Sequence, residues 1–371
     1  MKKILFAGYY GYENMGDDAF GLISIWGGKR FWKCNTLSLL SNKGPIINNI
    51  SIKYELPEKQ NYKGQYLLYI FFKILKSDIL ILSGGSILGH KPKFATVGWL
   101  YYAMLRIKLS RMGAIGVSIG PFKKQSDYLF VQEQLKKFKF LVLRDVKSYQ
   151  LALSMQLPYK PVLASDLAFL LADMYPNKIL KKTNKKKIIG ISLCHYERYV
   201  NGDISNEERR EKAIENGLLE ILNISDIQFH FFIINGNDKI GDKEITKTMI
   251  RKLSLKSSQY KIIDYSSNTI NMLEKIRECD IVFTTRLHGA IFSAAMNIPS
   301  ILVEYHEKCT NYLNDIIVDS EFRIGDMGIE PLELKEKLMK LLFYKKYNFY
   351  KNRNQCIEQA KKNFTEVFIK C

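Results

Sequence analysis

Six cysteines in 371 residues form no CxxC pair and no spaced framework, which excludes a disulfide scaffold and the common zinc modules. They read as buried or surface thiols of a reducing compartment, so a cytoplasmic protein is expected. No apolar run reaches the ~20 residues of a spanning helix. The longest, YLLYIFFKIL and WLYYAMLRIKL, are interrupted by Lys73 and by Arg106 and Lys108. The start, MKKILFAGYYGYE, is basic, but its apolar stretch is too short for a secretion signal and reads as a first strand. Acidic residues are scarce: 37 Asp+Glu against 56 Lys+Arg leave a net charge of +19. Such a balance attracts anions, whether phosphorylated small molecules, nucleic acid or an acidic membrane face. No helix-turn-helix, zinc module or RRM signature accompanies it, so specific nucleic-acid binding is not expected.

With 47% hydrophobic residues the chain has enough apolar side chains for two buried cores. Short apolar runs alternate with longer helical patterns. KILFAGY, TLSLLS, DILILSG, AIGVSIG and FLVLRD form one set; KIIGISL, QFHFFIIN, KIIDY, DIVFTT and PSILVEY form another. They are continuous rather than alternating, as in strands covered on both faces of a parallel sheet. Helical patterns fall at 98–112, 126–138, 207–222 and 268–278. The fold class expected is therefore α/β, with two doubly wound parallel-sheet domains facing a cleft. Residues 1–172 form the first domain, 173–187 a basic linker, 188–330 the second domain, and 331–371 basic helices able to pack back on the first.

Ligands of parallel sheets bind beyond the carboxyl ends of the strands, and the unusual residues gather there. After the first strand come Gly11, Asn14 and Asp17, and after DILILS come Gly84, Gly85 and Ser86. Gly120 follows AIGVSI, and Arg144 and Asp145 follow FLVL. In the second half the same positions hold His195, then Asn235 and Gly236, then Thr285, Arg286, His288 and Gly289, then Tyr305 to Lys308. In TTRLHGAIFSAAMNIPSI a helix is expected to begin at Ala290, leaving Arg286 and His288 in the turn before it. An arginine fork suits a carboxylate or phosphate, and a histidine exchanges protons near neutral pH. Glu13, Asp17 and Asp18 make the opening loop GYYGYENMGDDAF a poor phosphate cradle. Asp17 could serve as the N-cap of the helix that follows.

Taken together, GYYGYENMGDDAF, ILSGGSIL, GVSIGP, LRDVKS, SDLAFLL and TTRLHGAIFSAAMNIPSILVEYHEK resemble the polysaccharide pyruvyl transferase family, in its order and over residues 4 to about 310. The resemblance implies a GT-B-like pair of Rossmann-like domains. It also implies transfer of the enolpyruvyl group of phosphoenolpyruvate to two sugar hydroxyls, with phosphate release. By motif match the functional residues fall on Arg144, His288 and Lys308, with Arg286 a fourth. Asp17 is the candidate to orient or deprotonate the acceptor. Gly11, Asn14, Gly84, Gly85, Ser86, Gly120, Thr285, Gly289 and Tyr305 would line the substrates. Phosphoenolpyruvate enters as donor substrate; no further cofactor and no metal ligand is expected. The acceptor sugar could be lipid-linked, with peripheral contact to an anionic membrane through 67–76, 99–111 or 332–351. Two other functions fit parts of the pattern. A nucleotide-sugar glycosyltransferase would share the architecture and need a ribose-binding glutamate, for which Glu304 is placed. A non-catalytic protein binding anionic surfaces would share the charge.

Overall fold

The computed structural model describes residues 2–46, 50–175, 186–222, 224, 227–343, 348–367 and 369. Most of the basic linker expected at 173–187 lies outside the described residues. The chain divides into two units: Met1–Tyr12, Gly16–Met174 and Asn354–Cys371 form the first, and Glu13–Met15 with Tyr175–Arg353 the second.

The first unit holds strands β1 (Ile4–Ala7), β2 (Leu37–Leu39), β3 (Ile79–Leu88), β4 (Met112–Ile119), β5 (Leu141–Leu143) and β6 (Val162–Leu163). They form one sheet in the order β2-β1-β3-β4-β5-β6, and every pair is parallel. Helices α1 (Met15–Phe31), α2 (Gln65–Leu75), α3 (Val97–Arg106), α4 (Gln125–Leu135) and α5 (Val146–Ser154) connect them, and α6 (Leu171–Met174) follows β6. Leu80, Leu82, Ala114, Val117, Leu141 and Leu143 are all buried, which accounts for the continuous apolar runs. α3 ends at Arg106, short of the helix expected to residue 112, because Met112 already belongs to β4.

In the second unit β7 (Lys187–Ser192), β8 (Ile227–Phe232), β9 (Tyr260–Ile263), β10 (Ile281–Thr284), β11 (Ser300–Glu304) and β12 (Ile324–Gly325) alternate, among the described residues, with seven α-helices. These are α7 (Glu197–Val200), α8 (Ile204–Leu222), α9 (Lys243–Lys252), α10 (Thr269–Glu278), α11 (Leu287–Ala295), α12 (Glu307–Ile316) and α13 (Pro331–Phe343). Read from β9, the sheet runs β9-β8-β7-β10-β11-β12, the doubly wound 3-2-1-4-5-6 order. Strand order reverses between β7 and β10, so a crevice is expected outside their carboxyl ends.

The C-terminal stretch splits. α13 packs on α8 in the second unit, whereas the last helix, α14 (Arg353–Thr365), belongs from Asn354 onward to the first. There Phe364 stacks on Phe31 and meets Trp32, whose Nε1 donates to the Phe364 carbonyl at 2.9 Å. Gly27 makes room: a Cβ there would lie 2.2 Å from the Phe364 ring. Cys194, Cys279, Cys309 and Cys356 are buried free thiols. Cys34 is disulfide-bonded, which corrects the reading of all six cysteines as thiols; spacing along the chain does not reveal pairing in space. Among the described residues no helix is long and apolar enough to cross a membrane.

Candidate active site

The opening loop is held from inside. Tyr10 is buried and its hydroxyl donates to the Ser83 carbonyl at 3.1 Å. The Gly11 amide donates to Asp18 Oδ1 at 2.8 Å, so Asp18 helps to fix the turn. Gly11 has φ +83°, and a Cβ there would meet the Lys43 carbonyl at 2.3 Å, so no other residue fits without displacing backbone. α1 begins at Met15, which places Asp17 inside its first turn and overturns the N-cap reading. Its charge there is favourable to the helix dipole. The middle of the loop belongs to the second unit: Asn14 bridges antiparallel to Asn235, and the Gly236 amide donates to the Glu13 carbonyl at 2.7 Å.

Gly84, Gly85 and Ser86 are not a turn. They continue β3, with a register shift against β4 between Gly85 and Leu88, a bulge made possible by φ of +75° and +82° at the two glycines. Gly84 also admits Phe20, whose ring would lie 2.3 Å from a Cβ. Gly120 (φ +73°) precedes a cis peptide to Pro121.

Arg144 braces three strand ends. Its Nε donates to Ser118 Oγ at 2.8 Å, one Nη to Asp166 Oδ2 at 2.6 Å and the other to Ser86 Oγ at 3.3 Å. Asp145 caps α5 by accepting from the Ser148 amide at 2.8 Å. Asp166, the main partner of Arg144, lies in the SDLAFLL segment but carried no role in the sequence reading.

In the second unit the switch point between β7 and β10 gathers Cys194, His195, Thr285 and Arg286. Thr285 Oγ1 accepts from the Cys194 amide at 2.8 Å, and the Thr285 amide donates to the Ser192 carbonyl at 2.9 Å. α11 begins at Leu287, three residues before the expected start, so Arg286 is its N-cap residue and His288 and Gly289 lie in its first turn. Thr284 Oγ1 makes the earlier start possible by accepting from the Arg286 amide at 2.9 Å. A Cβ on Gly289 would lie 2.5 Å from that oxygen. The His288 ring stacks on Phe292 at 5.8 Å.

Arg286 is bound by a residue that sequence reading missed. Its Nε lies 2.8 Å from both carboxylate oxygens of fully buried Asp242, and Nη2 completes the fork. Asp242 also accepts from the Asn235 amide at 2.9 Å, which joins the fork to the segment paired with Asn14. Burial pushes the Asp242 carboxyl up while Arg286 pulls it back. Burial works against the Arg286 charge, and Asp242 more than offsets it. The only signal for Asp242 in the sequence is its place one residue before a helix, where an acid ordinarily serves as a cap.

Tyr305 lies beside this cluster, its hydroxyl 3.8 Å from Cys194 Sγ and its ring under the Arg210 guanidinium at 4.8 Å. Burial pushes both the Tyr305 hydroxyl and the Cys194 thiol up, so neither is a ready nucleophile. Lys308 is exposed in the first turn of α12 and its amide donates to His306 Nδ1 at 3.1 Å. Glu304 grips Arg323, whose Nε lies 2.8 Å from Oε1, so its carboxylate is already engaged. No metal ligand was expected from the sequence, yet His195, Glu207 and Glu211 converge, with ligand atoms within 4.8 Å of one another. Their signal was an i, i+4 carboxylate pair on a helix following a strand-end histidine.

Two doubly wound parallel sheets with polar strand ends define a protein of the two-Rossmann-domain, GT-B-like class. Solved structures agree on that fold. The UDP-GlcNAc 2-epimerase of Methanocaldococcus jannaschii superposes with a TM-score of 0.63 at 13% identity over 98% of both chains. That of Neisseria meningitidis, bound to UDP-GlcNAc, gives 0.60 at 14% over 99% of both. Anabaena HepE in complex with UDP-glucose gives 0.55 at 12%, over 99% of this chain and 94% of the other. At such identities the likeness is one of fold. No curated protein matches the sequence. Residues 33–307 match the polysaccharide pyruvyl transferase family, and the chain belongs to it. The match begins at residue 33, beyond the opening loop, and ends one residue before Lys308.

Proposed function

We propose that this transferase moves the enolpyruvyl carbons of phosphoenolpyruvate onto two hydroxyls of a sugar in surface-polysaccharide synthesis. The observation that carries the reading is the Arg286–His288 pair, inside the family match and at the first turn of a helix whose amides favour an anion. The fork with Asp242 uses Nε and Nη2 of Arg286; Nη1 remains to meet the donor's carboxylate or phosphate. Lys308 supplies a second cation in the same unit, matched by motif; Arg144, in the first unit, is likewise matched by motif. The donor's C3 methylene gains a proton and C2 gains one sugar oxygen. The second hydroxyl then displaces phosphate at C2, leaving a cyclic ketal with a methyl group. His288 is assigned the proton to C3, and Asp17 the orientation or deprotonation of the acceptor.

The test is phosphate release from phosphoenolpyruvate with a panel of lipid-linked and model glycosides, and the ketal's mass in the product. His288→Gln should lower turnover about 10²–10⁴-fold, the worth of a positioned acid, without unfolding the chain. Asp17→Ala should lower turnover with donor binding unchanged. Turnover of His288→Gln within a few-fold of the parent removes the acid assignment, and release of a nucleotide from a sugar donor instead of phosphate removes the whole reading. Engagement of Glu304 by Arg323 weighs against the nucleotide-sugar alternative, which needs that carboxylate for a ribose.

Peripheral contact with an anionic membrane belongs to the same reading, because a lipid-linked acceptor would sit there. Leu68, Phe72 and Leu75 form one stripe of α2 and are 50%, 54% and 41% exposed. Phe94, Ile107 and Leu109 beside α3 are exposed as well, among Lys76, Arg106, Lys108 and Arg111. Apolar side chains ringed by cations suit the headgroup boundary of acidic lipid.

A further inference from the structure

Beyond β7 the chain turns at His195, and α8 returns with Glu207 and Glu211 one helical turn apart, on one face. His195 Nδ1 lies 2.9 Å from Glu207 Oε1 and 2.9 Å from Glu211 Oε1. Neither approach has hydrogen-bond geometry: Nδ1 of His195 and Oε1 of Glu211 are buried without a hydrogen-bond partner. The histidine is only 6% exposed, and unsatisfied polar atoms at that depth are costly. Three electron-rich atoms thus converge where the ring's N–H direction does not join them. That is the arrangement of an imidazole and two carboxylates sharing a cation.

We propose that His195, Glu207 and Glu211 bind a divalent first-row transition ion, of the Zn²⁺ or Mn²⁺ kind, with water completing the coordination. One imidazole nitrogen and two carboxylate oxygens suit such ions; Mg²⁺ and Ca²⁺ prefer oxygen alone. Glu207 is oriented for the task, because its Oε2 accepts from the Tyr196 amide at 2.7 Å. Arg198 also bonds Glu207 Oε1. Its side chain is 33% exposed, so it can turn outward when a cation arrives. Tyr196 packs against Tyr305 at 5.1 Å and His306 at 5.3 Å. An ion at His195 therefore steadies the turn that leads to Lys308. The site stands on its own geometry and does not depend on the proposed ketal chemistry.

The experiment uses the full chain, stripped with a chelator and titrated with Zn²⁺, Mn²⁺ and Mg²⁺ by calorimetry, with Co²⁺ absorption reporting imidazole ligation. One equivalent of Zn²⁺ or Mn²⁺ should bind with at least tenfold preference over Mg²⁺ and raise the unfolding temperature. His195→Ala and Glu211→Gln should each weaken binding at least about tenfold, with circular dichroism confirming that both variants fold. Absence of saturable Zn²⁺ or Mn²⁺ binding overturns the site. So does metal binding by both folded variants that is as tight as the parent's.

Discussion

Asp242 shows how much of the site depends on residues with no chemistry of their own to advertise. Arg286 stood out in the sequence, but its carboxylate partner lies 44 positions away in a loop that reads as a helix start. Removing one member of such a buried pair leaves the other charge uncompensated. Asp242→Asn should therefore cost about 3 kcal/mol, the low end for buried pairs, because 19% of the Arg286 side chain meets solvent. Urea unfolding measures it, and Asp242→Asn combined with Arg286→Met should recover much of the loss. If the double variant is no more stable than the single one, the charge is not the cause. Arg144 repeats the lesson with Asp166: both arginines are legible from sequence, and neither partner is.

At the scale of elements the sequence carries nearly all the strands, because burial on both faces writes itself as an uninterrupted apolar run. All ten expected runs contain a strand, and among the described residues only the two-residue strands β6 and β12 went unread. Glycines misled where they are most permissive. Gly84 and Gly85 read as a loop, yet β4 continues to pair with that stretch and makes it a bulged strand. The start of α11 was missed because Thr284 Oγ1, rather than a residue pattern, holds the amide before it. α14 is the element whose packing has the clearest consequence. Phe364→Ala should destabilise the first unit by about 3–5 kcal/mol, as loss of a buried aromatic ring does. Trp26, Trp32 and Trp99 all lie in that unit, so tryptophan fluorescence during denaturation reads the loss there. An unchanged midpoint would mean α14 contributes little.

For the molecule as a whole, the charge of +19 matters through where it meets apolar surface. The stripe on α2 should bring the protein to phosphatidylserine vesicles at low salt, with little binding to phosphatidylcholine. In 1 M salt, where the Debye length is about 3 Å, binding should fall sharply. Leu68→Ser with Phe72→Ser should reduce it further in a sedimentation assay. Failure to bind acidic vesicles at low salt, or binding untouched by the double substitution, contradicts the proposal. The third stretch expected to contact lipid, 332–351, shows exposed Leu332 and Phe343, while 344–347 lie outside the described residues.

By itself the sequence determined the α/β class, the ten principal strands and the family. Each of these depends on local pattern: apolar runs, turn residues and motif order. Tertiary structure alone decided which strand ends become neighbours, because the crossover between β7 and β10 is a matter of topology rather than of pattern. It also decided that Asp18 holds the opening loop, that Asp166 and Asp242 hold the arginines, and that two glutamates close on His195. Buried charges need partners, and those partners are chosen by proximity in the folded chain, which linear spacing does not encode.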